Sequence, residues 1–187
     1  MRTAIVVVII ALLLVFVYLV YLHYRSRPDA ARIPSEPANI PAANARAGPE
    51  YAYPNLDLTP GAIDPAVTQD NIQSTICVSG YTKTVRPSSS ITHRLKLQIM
   101  MAYGINGDPS EYELDHFIPL ELGGCGDCVA NLWPERYDLE FGAKEKDRVE
   151  NFLHRRVCSG GLTLEQGQNA MRDDWVKVYE QMDPPPP

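Results

Sequence analysis

The most pronounced hydrophobic pattern in the chain is an unbroken apolar run near its beginning. Residues 3–24 contain no charged side chain, and this stretch is as long as the roughly 20 residues that a helix needs to cross a bilayer. Tyr18, Tyr21 and Tyr24 lie near its end, as in the aromatic belts of membrane interfaces. A cleaved signal peptide is the alternative, but it has a shorter apolar region followed closely by a small-residue cleavage site. The pattern predicts a single transmembrane helix at residues 1–24.

The pattern then changes to a proline-rich stretch at residues 25–65. Eight prolines occur there among many alanines and few large apolar side chains. A segment of this composition buries too little surface to fold alone, so it predicts an extended linker. The folded domain is expected at residues 66–183, and the prolines at 184–187 form a short tail.

Alternating and β-branched positions within the domain predict three strands. The predicted strands are residues 75–87, 112–122 and 129–133. The last two flank Gly123 and Gly124, which are typical of a tight turn. They therefore form a predicted hairpin, which Pro134 ends.

Apolar side chains at helical spacing predict three helices. The predicted helices are residues 88–104, residues 142–157 and a third that begins at Thr163. Ser90 is the predicted cap of the first helix, and Ile91 begins its buried stripe. Thr163 and Gln166 form a capping box for the third. Strands and helices together predict an α+β fold, in which a hairpin followed by a helix forms the core and further helices flank it.

Candidate chemistry begins with an Asp-His pair, Asp115 and His116, on the first strand of the predicted hairpin. A neutral histidine is a suitable general base near neutral pH. A carboxylate is a suitable ligand for a hard cation, which stabilises developing charge on a phosphate. Such a pair alone is more often structural or solvated. Here, however, the pair precedes a turn, a second strand and a helix. A one-metal nuclease site is therefore the more specific hypothesis.

The motif resembles the core of the HNH endonuclease superfamily, the ββα-metal fold. His116 and Asn131 lie 15 residues apart, which is similar to the spacing in colicin-type HNH nucleases. A wider resemblance, to a group of small bacterial HNH-like proteins, runs from about residue 77 to residue 179. The matching elements are Asp115-His116, Gly123-Gly124, Asn131-Leu132 and the helix at residues 142–157.

The resemblance implies a role for individual residues. His116 would be the general base and Asp115 a metal ligand, whereas Asn131 would bind the metal or hold the hairpin loop. The family usually places His or Asn at the start of the helix, and this chain has neither. The spacing from Asn131 points to Glu140 as the third ligand. The helical phase, counted back four residues from Val149, points instead to Glu145. The expected ion is Mg²⁺, with Mn²⁺, Ni²⁺ or Zn²⁺ as alternatives.

Three cations on the predicted helix, Lys144, Lys146 and Arg148, could contact the phosphates of a DNA or RNA substrate. A solvated helix face with supporting ion pairs is the simpler interpretation. The formal charge of −6 argues against tight passive binding of nucleic acid. It does not exclude a nuclease, because a divalent cation brings positive charge of its own.

The four cysteines form one C-x-x-C pair, Cys125 and Cys128, and two isolated positions, Cys77 and Cys158. A structural zinc site requires four ligands, and only one C-x-x-C is present. Two disulfides, Cys77–Cys158 and Cys125–Cys128, would account for all four. A zinc site and free thiols are the alternatives.

The expected location depends on two opposing signals. Disulfides favour an oxidising compartment, whereas Arg25, Arg27 and Arg32 after the apolar run favour a cytoplasmic domain. We expect a domain outside the cytoplasm, anchored by one helix, with no protein partner. The expected function is metal-dependent hydrolysis of nucleic acid. The alternative is a non-catalytic, disulfide-stabilised envelope domain that reuses the fold for binding.

Overall fold

The computed structural model describes residues 18–19 and 49–182. Most of the predicted anchor and linker, and the proline tail, lie outside the described residues. Within them, no helix is both long and apolar enough to span a membrane. The chain divides into two units, Met1–Arg32 and Ile33–Pro187, and the elements below all belong to the second.

The second unit contains four α-helices, several short 3₁₀ turns and one antiparallel strand pair in its described part, which confirms the α+β prediction. In chain order the elements are α1 (Tyr81–Val85), α2 (Ser89–Ala102), β1 (Tyr112–His116), β2 (Leu132–Arg136), α3 (Ala143–Cys158) and α4 (Leu164–Gln181).

One of the three predicted strands is not a strand, and the other two were predicted with the wrong extents. Residues 75–87 form turns and α1 instead of a strand, since β-branched composition cannot make a strand without a pairing partner. β1 ends at His116, and residues 117–131 form a loop with two 3₁₀ turns. Pro134 does not stop β2 but lies inside it, opposite Leu114. A two-stranded sheet has only edge strands, where the missing N–H of proline is tolerated.

The helix predictions hold better, because capping residues define their ends. Gln166 donates its backbone N–H to Thr163 Oγ1 at 3.1 Å, and the Gln166 side chain accepts from Thr163 N at 2.8 Å. This confirms the predicted capping box. α2 begins one residue before Ser90, with Ser88 at its N-cap. Ile91 is exposed, so the predicted buried stripe of α2 was wrong at its first residue.

The main core lies between α3, α4 and the segment that precedes α1. Trp175 of α4 is fully buried and donates its indole N–H to Ala52 O at 2.8 Å. The Tyr53 ring lies 6.2 Å from the Trp175 ring, and its hydroxyl donates to Asp174. Asp174 has non-helical backbone angles, and its carboxylate accepts from Lys177 N. Residues 52–65 fell within the predicted linker, and these contacts attach their beginning to the domain.

Two disulfides, Cys77–Cys158 and Cys125–Cys128, confirm the predicted pairing. The first joins the segment before α1 to the end of α3, across 81 residues of sequence. The second lies within the loop between the strands. The zinc and free-thiol alternatives do not apply to this oxidised form, in which none of the four cysteines is free.

We expect the long-range disulfide to contribute most of the covalent stabilisation. Cys77→Ser with Cys158→Ser should lower the free energy of unfolding by roughly 4–5 kcal/mol, because the closed loop is long. The matched pair, Cys125→Ser with Cys128→Ser, should cost only roughly 1–2 kcal/mol. Denaturant unfolding of residues 49–187 measures both. Equal losses in the two variants would contradict the loop-length argument.

Candidate functional site

The Asp-His pair projects from β1 on opposite sides of the hairpin. Asp115 is paired with Trp133, and His116 with Leu132, and consecutive side chains of a strand alternate between faces. His116 is only 5% exposed, and its Nε2 lies 2.9 Å from Gly126 O. Nε2 therefore carries the proton and donates to this carbonyl, which leaves Nδ1 as the acceptor nitrogen. Burial lowers the pKa of His116, so the ring is neutral near neutral pH.

Asn131 is fully buried and holds the loop between the strands through three hydrogen bonds. Its Oδ1 accepts from Ile118 N at 2.8 Å, and its Nδ2 donates to Ile118 O at 2.9 Å and to Cys125 O at 3.0 Å. Both polar atoms of the amide are thereby used by backbone groups. Of the two roles open to Asn131, the structure therefore favours loop holding over metal ligation.

The Gly-Gly pair allows the same loop to close. Gly123 has a positive φ of 74° and ends the 3₁₀ turn Leu120–Leu122. Gly124 lies so close to Ile118 that a Cβ atom there would be 1.7 Å from Ile118 O and 2.8 Å from Asn131 Nδ2. Only glycine fits at position 124, because any side chain would displace the carbonyl that Asn131 binds.

Lys146 of α3 is fully buried, and its ammonium group lies among three oxygens. It donates to a carboxylate oxygen of Asp115, to Glu150, one turn further along α3, and to His116 O at 2.9 Å. These contacts use all three of its N–H groups. The prediction that Lys146 contacts nucleic-acid phosphate was wrong, because its charge is directed into the domain.

Glu135 of β2 is a further buried carboxyl beside Asp115, and only 1% of it is exposed. No donor among the described residues reaches either of its carboxyl oxygens. Burial raises the pKa of Glu135 well above its ordinary value; Lys146 opposes the rise, and Asp115 adds to it. The raised pKa favours the protonated form of Glu135, whose carboxyl hydrogen can be donated to Asp115.

The four groups form a buried acid–ammonium cluster, defined as Asp115, Glu135, Lys146 and Glu150. Burial opposes ionisation of Asp115, but the Lys146 charge and hydrogen bonds from Glu135 and Lys146 outweigh it and hold the pKa of Asp115 below its ordinary value. Burial raises the pKa of Glu150 to about 8, although Lys146 opposes the rise. Burial would lower the pKa of Lys146, but Asp115, Glu150 and Glu135 raise it well above its usual range. The cluster thus favours an ionised Asp115 beside the Lys146 ammonium, and it favours the protonated forms of Glu135 and Glu150.

The other predicted site residues lie outside this cluster. Glu140 is exposed. Glu145 accepts a hydrogen bond from Gly142 N at 3.2 Å and so caps the start of α3. Lys144 is exposed on α3, and Arg148 is part-buried and donates to Tyr179 Oη at 3.3 Å.

The predicted metal ligands Asp115, Asn131 and Glu140 are therefore not brought together as a metal site. Oxygens of Asp115, Glu150 and the His116 carbonyl do converge, but on the ammonium of Lys146. A divalent ion at the part-buried Asp115 would lie beside this like charge, which opposes its binding. The residues present do not fit the expected Mg²⁺.

Sequence reasoning missed two members of the cluster, Glu135 and Glu150. The i,i+4 spacing of Lys146 and Glu150 was a usable signal, since such pairs are neighbours on a helix. Glu135 had a weaker one: in the observed register it is paired with Glu113, on the same face as Asp115. That register could not be derived while β2 was placed at residues 129–133.

No protein-family model matches the chain, and comparisons with curated proteins and with solved structures gave no match. The functional proposal therefore rests on the geometry of the hairpin, its loop and α3 alone.

We expect Gly124→Ala to disrupt the loop between the strands. The added Cβ would overlap Ile118 O, so the free energy of unfolding should fall by at least about 2–3 kcal/mol. The matched control is Gly107→Ala, where the nearest atom is 3.6 Å away, and this change should stay within about 0.5 kcal/mol. Chemical denaturation compares the two. A Gly124→Ala variant as stable as Gly107→Ala would refute the close approach.

Stability should also fall as the pH rises, because the folded chain keeps the Glu150 proton. The stabilisation from this retained proton is complete below about pH 4.3, the pKa of glutamate in an unfolded chain. It is lost as the pH rises through about 8, the pKa of Glu150 in the folded chain. One such proton gives a slope of up to about 1.4 kcal/mol per pH unit. Glu150→Gln still accepts from Lys146 but does not ionise, so the slope should become shallower by that amount. Denaturant unfolding at a series of pH values measures it.

The control for this measurement is Glu140→Gln, since Glu140 is exposed and lies outside the cluster. Its slope should equal that of the unmodified chain. A Glu150→Gln slope that is unchanged, or steeper, would contradict the retained proton.

Proposed function

We propose that the domain is a non-catalytic, disulfide-stabilised binding domain that keeps the hairpin-and-helix arrangement of an HNH nuclease. The observation that carries this proposal is the buried ammonium of Lys146, which contacts Asp115, Glu150 and the His116 carbonyl. An ammonium supplies positive charge to the hairpin, as a metal would, but it has no open position for a water molecule or a phosphate. The arrangement therefore supports a stabilising role for these residues better than metal-assisted hydrolysis.

The cysteines and the N-terminal run support a place in the cell envelope. Two disulfides are typical of an oxidising compartment. The apolar run at residues 3–24 would anchor the chain in the membrane, and the proline-rich residues that follow would separate the anchor from the domain. The proposed protein is thus an extracytoplasmic binding domain tethered by one helix.

Hydrolysis of nucleic acid is the second candidate, and the His116 geometry favours it. The hydrogen bond from Nε2 to Gly126 O leaves Nδ1 as a bare nitrogen, and burial keeps the ring neutral. A general base needs both properties. Against this candidate, His116 is almost fully buried, so a phosphodiester could reach Nδ1 only after the loop between the strands moved.

A plasmid-nicking assay distinguishes the two candidates. Residues 49–187 and the His116→Ala variant would be incubated with supercoiled DNA in Mg²⁺, in Mn²⁺ and in a chelator. We expect the same background rate in every case, because Lys146 occupies the position that a catalytic metal would need. Electron paramagnetic resonance of added Mn²⁺ should show no stoichiometric bound ion.

Nicking that His116→Ala abolishes would overturn the non-catalytic proposal. If that activity requires a divalent ion, the metal-dependent nuclease is supported; if it persists in the chelator, His116 acts without a metal. His116→Gln serves as a second variant, and a thermal unfolding curve for each variant separates lost activity from lost folding.

A further inference from the structure

A second cluster of metal-ligating side chains lies where the segment before α1 meets the end of α3. The sulfurs of Cys77 and Cys158 and one ring nitrogen of His154 all lie within 4.8 Å of one another. His154 and Cys158 are four residues apart on α3, so they project from the same side of the helix. Two thiolates and an imidazole form a donor set that suits Zn²⁺, with water at the fourth position.

The two segments that carry these side chains are also joined by contacts that do not involve sulfur. His154 Nε2 lies 2.9 Å from Ile76 O, and Gln73 Nε2 donates to Cys158 O at 3.1 Å. Ile76 itself is buried in the core. Breaking the S–S bond would therefore leave Cys77 close to α3.

The hydrogen bond of His154 also prepares its ring for a metal. Nε2 donates its proton to Ile76 O, so Nδ1 is the nitrogen that carries a lone pair. Histidines that bind metals commonly donate their other N–H to a backbone carbonyl, which fixes the tautomer and the orientation of the ring. This contact gives the part-buried His154 ring a fixed position.

We infer that reduction of the Cys77–Cys158 disulfide converts this cluster into a zinc site with Cys77, His154 and Cys158 as ligands. A dithiol reductant supplies two electrons and two protons, the S–S bond breaks into two thiols, and the reductant leaves as its own disulfide. Zn²⁺ then binds both sulfurs as thiolates and releases their two protons to solvent.

The compartment decides which form exists. In an oxidising compartment the disulfide joins the segment before α1 to α3. If Arg25, Arg27 and Arg32 instead keep the domain in the cytoplasm, thiols are reduced there and Zn²⁺ joins the same two elements. This inference is independent of the proposed non-catalytic function, because Cys77, His154 and Cys158 include no member of the acid–ammonium cluster.

The test uses the full chain in detergent, reduced with a water-soluble phosphine, which is itself oxidised to the phosphine oxide. After removal of the phosphine, the protein is titrated with Zn²⁺, and bound zinc is measured by atomic spectrometry after gel filtration. The reduced chain should retain one zinc ion per chain and the oxidised chain none. Co²⁺ added in place of Zn²⁺ should give the charge-transfer absorption of thiolate ligands.

The matched variants identify the ligands. Loss of an outer hydrogen-bond partner typically lowers metal affinity by about 10–100-fold. His154→Gln can still donate to Ile76 O but offers no imidazole, so its zinc affinity should fall by more than this. Cys125→Ser with Cys128→Ser removes the other cysteine pair and should retain the zinc. A reduced chain that binds no zinc would overturn the inference. So would zinc that persists in His154→Gln but is lost without Cys125 and Cys128.

Discussion

The ammonium of Lys146 is the interaction on which the arrangement of the hairpin and α3 depends. It connects β1, through Asp115 and the His116 carbonyl, to Glu150 on its own helix. A fully buried charge is tolerated only when it is paired and hydrogen bonded, and here every N–H of the ammonium is used. Removing one partner of such a pair typically costs about 3–5 kcal/mol, because the other charge is left alone. The helix is therefore positioned by a polar contact as well as by its apolar face.

The loop between the strands is stabilised in a different way, by backbone groups and one amide. Asn131 binds Ile118 on both its N–H and its carbonyl, and Gly124 leaves room for that carbonyl. His116 then donates to Gly126 in the same loop. Asn131, Gly124 and His116 thus constrain the same loop, and the position of each depends on the others. Of the expected metal ligands, Asp115 accepts from Lys146, Asn131 holds the loop and Glu140 is exposed.

The sequence predicted those features that depend on local signals. The Thr163–Gln166 capping box, the course of α3 and the start of α4 follow from residue types at short spacings. The two disulfides were predicted from the division of four cysteines into one C-x-x-C pair and two isolated positions, with zinc and free thiols left as alternatives. The features it did not predict depend on tertiary contacts. The course of β2 through Pro134 and the burial of Lys146 could not be derived from periodicity, because a charged helical residue is usually solvated. Glu135 was missed for the same reason, since its role requires the cross-strand register.

The Cys77–Cys158 bond keeps the domain covalently connected after a single proteolytic cut. The covalent loop that it closes includes α1, α2, the hairpin and all of α3. A protease that cuts one peptide bond within this loop, for example in the exposed turn after α2, releases no fragment. Both pieces remain joined through sulfur, and Trp175 and its neighbours still hold the two ends of the loop against a common core. In an environment rich in proteases, a single cut therefore leaves one covalently connected domain.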